Sequence, residues 1–297
     1  MSGAGPPGPA RPEPPSHAKR DLALIGVALL VGWAAVTVDV DLGSIPQLPG
    51  GLGRVFYEMY LEPGPEWSYL VPAMEAMLES LQIAWVGTVI GAVISLPLGF
   101  FGARNVSSGV ASNVVRQVLN AIRAFPEIVL AIAIFIPIAG LGPVAGALAI
   151  GLHSVGTLGK LTAEVVEGID PGPVEAARAV GGRPLQVQRW GVLPQVLPEI
   201  VAFWLYRFEI NIRAAAVLGV VGAGGIGFVL QQAISFGRFP RAGTIILVVV
   251  VATIAVDVLS GSVRQRIISG AGARRVRGDE VVQPELVERT AGGIARP

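Results

Sequence analysis

The sequence contains no cysteine and only two histidines, and charged residues make up just 14% of its 297 positions. Without cysteine, the chain forms no disulfide, no thiolate metal site and no cysteine nucleophile. The shortage of charged residues argues against an ordinary water-soluble globule, because such a domain carries about 25% charged residues. Hydrophobic residues account for 52% of the chain, so part of its solvent is predicted to be lipid. The net charge of +1 gives no attraction to nucleic acid, and we expect no nucleic-acid partner.

Six predominantly apolar runs predict helices that cross about 30 Å of hydrocarbon, at about 1.5 Å per residue. They are residues 22–38, 81–101, 114–138, 143–166, 197–221 and 242–259. The predicted fold is an all-α membrane protein with six transmembrane helices. The predicted segments are a disordered cytoplasmic tail (1–20), the first transmembrane helix (21–38), a periplasmic segment (39–79), a transmembrane core (80–266) and a cytoplasmic tail (267–297).

Lysine and arginine near the helix ends set the expected orientation. Four stretches that hold most of these cations fall on one side of a six-helix arrangement, and the acidic 39–79 segment falls on the other. We therefore expect a multi-pass protein of the inner (plasma) membrane with both termini in the cytoplasm. Arg238 and Arg241 are the exception, because this scheme places them outside.

The polar loop of residues 170–194 is the most informative segment. Asp170 is suited to cap a short helix, and Gly181 to end it. Pro184 then opens a second short helix, which Pro194 is predicted to close. A helix outside the bilayer, with small residues on one face and charges on the other, indicates a docking site for a partner protein.

This loop resembles the EAA loop of permease subunits in bacterial ATP-binding-cassette (ABC) importers. The residues that carry the resemblance are Glu175, Ala176, Ala177, Gly181, Leu193 and Pro194. In that family the loop is a coupling helix seated in a cleft of the ATPase subunit. The resemblance therefore implies a type I ABC importer permease fold with a cytoplasmic coupling helix. Gly191 departs from the family pattern, which has an aliphatic residue at this position.

The resemblance also implies partners. Two ABC ATPase subunits would hydrolyse ATP-Mg, a periplasmic or lipid-anchored substrate-binding protein would deliver the substrate, and a second permease copy would complete a homodimeric pathway through the lipid bilayer. The chain itself is expected to hold no cofactor or metal and to catalyse no reaction. The stretch around Lys160 is similar to the end of a nucleotide-binding loop, but Ser154 stands where the first glycine is required.

Three further stretches look like the permeases of phosphonate and phosphite importers: residues 123–127, 206–213 and 220–227. The implied substrate is a small phosphorus oxyanion, which an arginine fork binds bidentately. The predicted pathway residues are Arg123, Arg207, Asn211 and Arg213, and the predicted gate residues are Gly222, Gly224, Gly225 and Gly227. Structural ion pairs four residues apart, Glu209 with Arg213 and Arg123 with Glu127, are the alternative interpretation of these charges.

Other functions remain open from the sequence. An importer permease for a different small solute would have the same loop. An ion-coupled secondary transporter would need a buried carboxylate near the middle of the membrane, and Glu209 alone meets that demand. The run from Gly222 to Gly227 matches a dinucleotide-binding fingerprint, but no acidic residue follows at the required distance. We predict a flexible turn at the outer membrane surface there instead.

Overall fold

The computed structural model describes residues 18–37, 46 and 48–291, with side chains for 20–37, 46 and 48–267. Every regular element of this described part is helical, so the all-α class predicted from the sequence is confirmed. The main helices are α1 (Ala18–Thr37), α2 (Leu48–Tyr60), α3 (Leu70–Gly102), α4 (Gly109–Ala124), α5 (Glu127–Ala139), α6 (Pro143–Glu167), α7 (Pro171–Ala179), α8 (Pro184–Val220), α9 (Gly225–Ser235) and α10 (Phe239–Ala291).

Four of these helices, α1, α3, α6 and α10, are long and apolar enough to cross a membrane. Two bent pairs, α4 with α5 and α8 with α9, raise the number to six when each pair is one span. The predicted tail of residues 1–20 lies almost wholly outside the described residues, as do residues 292–297.

The chain divides into two compact units after Val55. The first contains α1, whose described side chains are exposed except for the half-buried Ala34. An apolar helix with its side chains open on all faces is suited to contact with lipid. The second unit, from Phe56 onward, contains the helix bundle that carries the candidate site.

Small residues bring α3 and α6 together at the centre of this second unit. A Cβ atom at Gly91 would lie 2.5 Å from the Ser154 Cβ, and one at Gly99 would lie 2.4 Å from the Thr162 Cβ. No larger side chain fits at such a crossing. Small residues spaced along both helices are the usual means by which membrane helices approach closely, because lipid supplies no hydrophobic driving force.

The predicted third span, residues 114–138, is not one helix. The α4 helix ends at Ala124, and α5 begins at Glu127 after a bend of 86°. Pro126 disfavours a helical Phe125 just before it, and Phe125 is indeed extended. Within α5, Ala131–Phe135 form a wide π-helical turn two residues before Pro137, where it accommodates the proline ring.

The predicted periplasmic segment is largely helical, since α2 and the first turns of α3 lie within it. Glu66 accepts a hydrogen bond from the Arg241 Nε at 2.7 Å, and its backbone oxygen accepts one from the Thr244 hydroxyl at 3.0 Å. The hydrogen bond from Arg241 lowers the pKa of Glu66 below its ordinary value. Arg241, an exception to the charge rule in the sequence, therefore has an acidic partner from this segment.

Candidate functional site

The loop between α6 and α8 forms the short helix that the sequence predicted, α7. The Asp170 side chain caps it by accepting a hydrogen bond from the Gly172 amide at 2.9 Å. At its other end Gly181 has a φ of +80°, and the Gly182 amide donates to the Ala177 carbonyl at 3.0 Å. This left-handed turn satisfies a terminal carbonyl and redirects the chain towards α8.

The α7 helix lies directly on the first turns of α8. A Cβ atom at Gly191 would come within 3.2 Å of both the Pro173 carbonyl oxygen and the Val174 Cα, so a larger residue would push the two helices apart. The Gln195 side chain joins the two segments: its oxygen accepts from the Asp170 amide at 3.1 Å, and its nitrogen donates to the Gly191 carbonyl at 2.6 Å. The glycine that departs from the family pattern thus has a packing reason.

The outer surface of this segment is open. Glu175 and Ala176 are exposed, and Ala177 is half-buried. Val180 is 86% exposed and Leu185 is 78% exposed. Apolar side chains grouped with small residues on a surface mark a contact area for another protein.

Pro194 does not close a second short helix, and that prediction is wrong. The α8 helix continues through it, because Gln188–Val192 form a second wide π-helical turn just before it. The ring of Pro194 would otherwise meet the carbonyl of Trp190, four residues earlier. Leu193 packs against a buried cluster that includes Val166 and Val196. The second short helix predicted in the loop and the predicted fifth span are therefore one continuous rod, α8.

A charged network fixes the neighbouring helix ends. Glu167, the last residue of α6, accepts hydrogen bonds from the Arg104 amide at 2.8 Å and from the Arg116 guanidinium at 2.5 Å. Arg116 also donates to the Gly102 carbonyl at 2.8 Å. These bonds join the ends of α3 and α6 to the middle of α4. A groove of about 510 Å³ lies between this network and α7, with Glu175 and Glu167 among its lining residues.

Four polar side chains meet in the interior, at the middle of three helices: Thr88 of α3, Ser154 of α6, and Arg207 and Asn211 of α8. The Arg207 Nε donates to the Ser154 Oγ at 3.1 Å. The Asn211 amide donates to the Thr88 Oγ1 at 2.9 Å and to the Ser154 Oγ at 3.1 Å. Arg207 is only 7% exposed, and its Nη2 has no hydrogen-bond partner among the described residues. A buried guanidinium with an unused donor is costly unless an acceptor reaches it.

A carboxylate from the start of α5 approaches this cluster. The Glu127 Oε2 lies 2.6 Å from the His153 Nδ1 of α6, and its charge also acts on Arg207. The predicted ion pair between Arg123 and Glu127 is wrong, because the bend between α4 and α5 removes the four-residue helical spacing. Arg123 instead packs against Gly156 of α6.

The predicted pair of Glu209 with Arg213 is also absent from the described structure. The Arg213 guanidinium lies 3.9 Å from the Asp257 carboxylate, and Glu209 lies 3.6 Å from Arg264, so both partners come from α10. Tertiary contacts between α8 and α10 replace the local pair.

The four predicted pathway residues therefore lie in three separate places. Arg207 and Asn211 share the buried cluster. Arg213 is on another face of α8, where it lines an open groove of about 440 Å³ together with Glu127. Arg123 is exposed at the end of α4. The structure thus gathers two of the four at one point.

The glycine-rich turn between α8 and α9 is packed rather than open, which corrects the predicted flexible surface turn. Gly222, Gly224 and Gly225 all have positive φ angles, of 95°, 78° and 71°. A Cβ atom at Gly225 would lie 2.3 Å from the Ser80 Oγ. That hydroxyl accepts a hydrogen bond from the Ile226 amide at 2.8 Å, so α3 caps the start of α9.

The last glycine of this turn allows α8 and α9 to touch through their backbones. A Cβ atom at Gly227 would lie 1.8 Å from the Ala216 carbonyl oxygen. The sequence prediction left residues 222–241 outside the apolar runs, whereas the structure has the α9 helix of residues Gly225–Ser235 there. The α9 helix turns away from α8 by 40°.

Sequence reasoning missed Thr88, Ser154 and Gln195. A hydroxyl in an apolar helix carries no distinctive signal, because it can bond to its own backbone, as Thr88 also does to the Ala84 carbonyl at 2.6 Å. The importance of Thr88 and Ser154 follows only from the crossing of three helices distant in sequence. The importance of Gln195 follows only from the folding of the loop, which brings Asp170 next to the first turns of α8.

The chain has clear similarities to known proteins. The family model described as "Binding-protein-dependent transport system inner membrane component" matches residues 95–269. The chain is 38% identical to the phosphite transport system permease protein PtxC of Stutzerimonas stutzeri over 245 residues. That alignment covers 82% of this chain and 86% of the PtxC chain. It is 42% identical to the phosphate-import permease protein PhnE of Mycolicibacterium smegmatis over 199 residues. That alignment covers 67% of this chain but only 37% of the longer PhnE chain.

Solved structures show the same fold. An inward-facing structure of the MetNI methionine ABC transporter matches with a TM-score of 0.60 at 22% identity, over 67% of this chain and 96% of that one. An amino acid ABC transporter matches with a TM-score of 0.56 at 19% identity, over 68% of this chain and 95% of that one. The fold predicted from the sequence is confirmed by these matches.

Proposed function

The chain belongs to the family of binding-protein-dependent transport system inner membrane components, and on that premise we propose that it is the membrane-spanning permease subunit of an ATP-driven importer for a small phosphorus oxyanion, such as phosphite or a phosphonate. The relatives named for phosphite and phosphate import support this substrate class. Within the chain, the buried Arg207 carries the proposal, because its unused Nη2 supplies the donor that an oxyanion requires.

The α7 helix is the coupling helix in this proposal. Its exposed Glu175 and Ala176 dock on an ATPase subunit, while Gln195 and Gly191 hold it against α8. From Gln195 to Arg207 the rod runs for about 18 Å, at about 1.5 Å per residue. A displacement of α7 by the ATPase therefore moves Arg207 and changes which side of the membrane its cluster faces, as alternating access requires.

The remaining partners follow from the family. Two ATPase subunits bind ATP-Mg, a periplasmic or lipid-anchored binding protein delivers the oxyanion, and a second copy of the permease completes the pathway as a homodimer. The permease itself holds no cofactor and no nucleotide and is not an enzyme. Both termini are cytoplasmic, and the surface around Glu66 and Arg241 faces the binding protein.

Uptake by the reconstituted complex tests this function. The chain is purified with its ATPase, inserted into proteoliposomes with ATP trapped on the ATPase side, and supplied with its binding protein and radiolabelled phosphite, phosphate, methylphosphonate or methionine on the other. We expect accumulation of at least one phosphorus oxyanion that stops when ATP is omitted and exceeds methionine accumulation at least ten-fold. If only methionine accumulated, the proposed substrate class would be wrong, but the assignment of the chain as an importer permease would stand.

An ionophore distinguishes the proposal from an ion-coupled secondary transporter. Collapse of the proton and sodium gradients leaves ATP-driven uptake unchanged, whereas it abolishes uptake by a secondary transporter. If uptake continued without ATP and stopped with the ionophore, the buried Glu209 would become the candidate coupling carboxylate.

A further inference from the structure

A third groove, of about 700 Å³, lies on the side of the bundle between the end of α3 and the start of α8. Its apolar wall includes Leu96, Pro97, Phe100 and Phe101, from the last two turns of the membrane-spanning α3. Phe101 is 59% exposed. Leu96 lies inside the uncharged run of residues 81–101, about 7.5 Å before the end of that run at about 1.5 Å per residue, so the groove reaches the depth that the sequence predicts for hydrocarbon.

The opposite end of the groove is polar and positively charged. Ser107, Gln188 and Arg189 line it there. The Arg189 guanidinium lies 5.4 Å from the centre of the Trp190 ring, and Trp190 is 69% exposed. Among the described residues, no carboxylate lies within ion-pair distance of Arg189. Tryptophan and arginine together are typical of the headgroup level of a bilayer.

We infer that this groove binds an anionic glycerophospholipid from the leaflet on the α7 side of the membrane, with an acyl chain on the Phe100 and Phe101 side and the phosphate at Arg189. The charge of Arg189 has no protein counter-charge in the described residues, and a lipid phosphate supplies one. A water-soluble subunit that docks on α7 does not reach Leu96, because that residue lies at hydrocarbon depth. Lipid is thus the one occupant whose apolar and anionic parts match both ends.

The bound lipid also acts on the coupling segment. Gln188 and Leu193 line the groove; Gln188 begins the wide turn that contains Gly191, on which α7 rests, and Leu193 follows that turn. An acyl chain against this turn limits its movement, so lipid occupancy stiffens the connection between α7 and α8. This inference goes beyond the proposed function, and it holds whichever solute is transported.

Lipid binding to the intact permease–ATPase complex tests the inference. Native mass spectrometry compares the binding of phosphatidylglycerol and phosphatidylcholine to the wild type and to Arg189→Gln, Arg189→Lys and Arg183→Gln. We expect a preference for phosphatidylglycerol that falls about five-fold in Arg189→Gln, the factor for one basic residue at an anionic surface. Arg189→Lys keeps the charge and the preference. Arg183→Gln, an exposed arginine that does not line the groove, also keeps the preference.

Fluorescence gives a test that needs no change at Arg189. The fluorescence of Trp190 is obtained as the difference in tryptophan emission between the wild type and Trp190→Phe. It is measured in nanodiscs that contain lipids brominated on their acyl chains. Brominated phosphatidylglycerol should quench this signal more than brominated phosphatidylcholine in the assembled complex. The inference is overturned if both lipids quench equally, if Arg189→Gln binds phosphatidylglycerol as the wild type does, or if quenching appears only after the ATPase is removed, which would assign the groove to the ATPase.

Discussion

The Arg207 Nε of α8 donates a hydrogen bond to the Ser154 Oγ of α6 over 3.1 Å, at the level where Gly91 lets α3 press against α6. This bond fixes one side of the guanidinium, while its Nη2 stays without a partner in the described structure. Asn211 bonds to the same Ser154 hydroxyl. The cluster therefore fixes the position of the Arg207 guanidinium and leaves one of its N–H donors without a partner among the described residues.

Replacement of Arg207 by methionine should reduce oxyanion uptake at least a hundred-fold while leaving the assembled complex and its ATPase activity intact. Methionine has a similar length and no donor, and its burial removes an unsatisfied group rather than creating one. Uptake in proteoliposomes and ATP hydrolysis are measured on the same preparation. Lys160→Met is the matched control, because Lys160 lies in α6 within 3.8 Å of the Glu164 carboxylate and outside the cluster. Uptake by Arg207→Met at the wild-type rate would remove Arg207 from the pathway.

Gly181→Ala should weaken the link between ATP hydrolysis and uptake. Gly181 has a φ of +80°, a conformation that costs an L-residue about 1–2 kcal/mol, so the turn after α7 would relax and the docking surface would shift. We expect at least a three-fold fall in uptake per ATP hydrolysed. Gly109→Ala, at the start of α4, is the control, because a Cβ atom there meets nothing within 4 Å. Equal coupling ratios in the two variants would contradict a role for the turn in force transmission.

The membrane-spanning helices could be predicted from hydropathy because lipid imposes one simple requirement on each span, whereas the shorter α2 and α9 could not. The bend after α4 could not be placed in this way, although Pro126 marks it, because the apolar run continues on both sides. The α7 helix could be predicted from its own caps, Asp170 and Gly181, which act locally. Its packing against Gly191 and the hydrogen bond of its cap to Gln195 could not be predicted from the sequence, because those contacts join segments about twenty residues apart.

The charged residues of α8 demonstrate the same limit. Spacing along a single helix favours the pair of Glu209 with Arg213, but in the structure each finds its partner on α10. Likewise, nothing in the local sequence distinguishes Ser154 from any other serine in an apolar helix. Only the crossing of α3, α6 and α8 makes it the shared partner of Arg207 and Asn211.

Gly227→Ala should destabilise the permease by about 1–3 kcal/mol, the usual cost of overpacking, and lower its yield in the membrane. The added Cβ would lie 1.8 Å from the Ala216 carbonyl oxygen, so α8 and α9 would have to separate. Thermal unfolding of the purified complex measures the loss. Gly261→Ala in α10 provides the comparison, since its Cβ would meet nothing within 4 Å. Similar midpoints for the two variants would show that the crossing of α8 and α9 is not as tight as described.

The contact of Glu66 with Arg241 should give stability that depends on pH. The hydrogen bond from Arg241 lowers the pKa of Glu66 in the folded protein, so the stabilisation is fully present above the unfolded value of about 4.3 and is lost as the pH falls through the lower folded value. Glu66→Gln should therefore lower the melting temperature at pH 7 and cease to matter at the acid end. If the melting temperatures of Glu66→Gln and the wild type differed by the same amount at every pH in this range, the effect of the substitution would be one of packing.

Cysteine labelling should place α7 and the end of α9 on opposite sides of the membrane. The chain has no native cysteine, so single-cysteine variants give a signal without background. Phe236→Cys, at a position 74% exposed after α9, should react with a membrane-impermeant maleimide on intact cells. Ala176→Cys, exposed on α7, should react only after permeabilisation, and more slowly when the ATPase is bound. If Ala176→Cys reacted in intact cells, α7 could not meet a cytoplasmic ATPase, and a coupling role for it would be untenable.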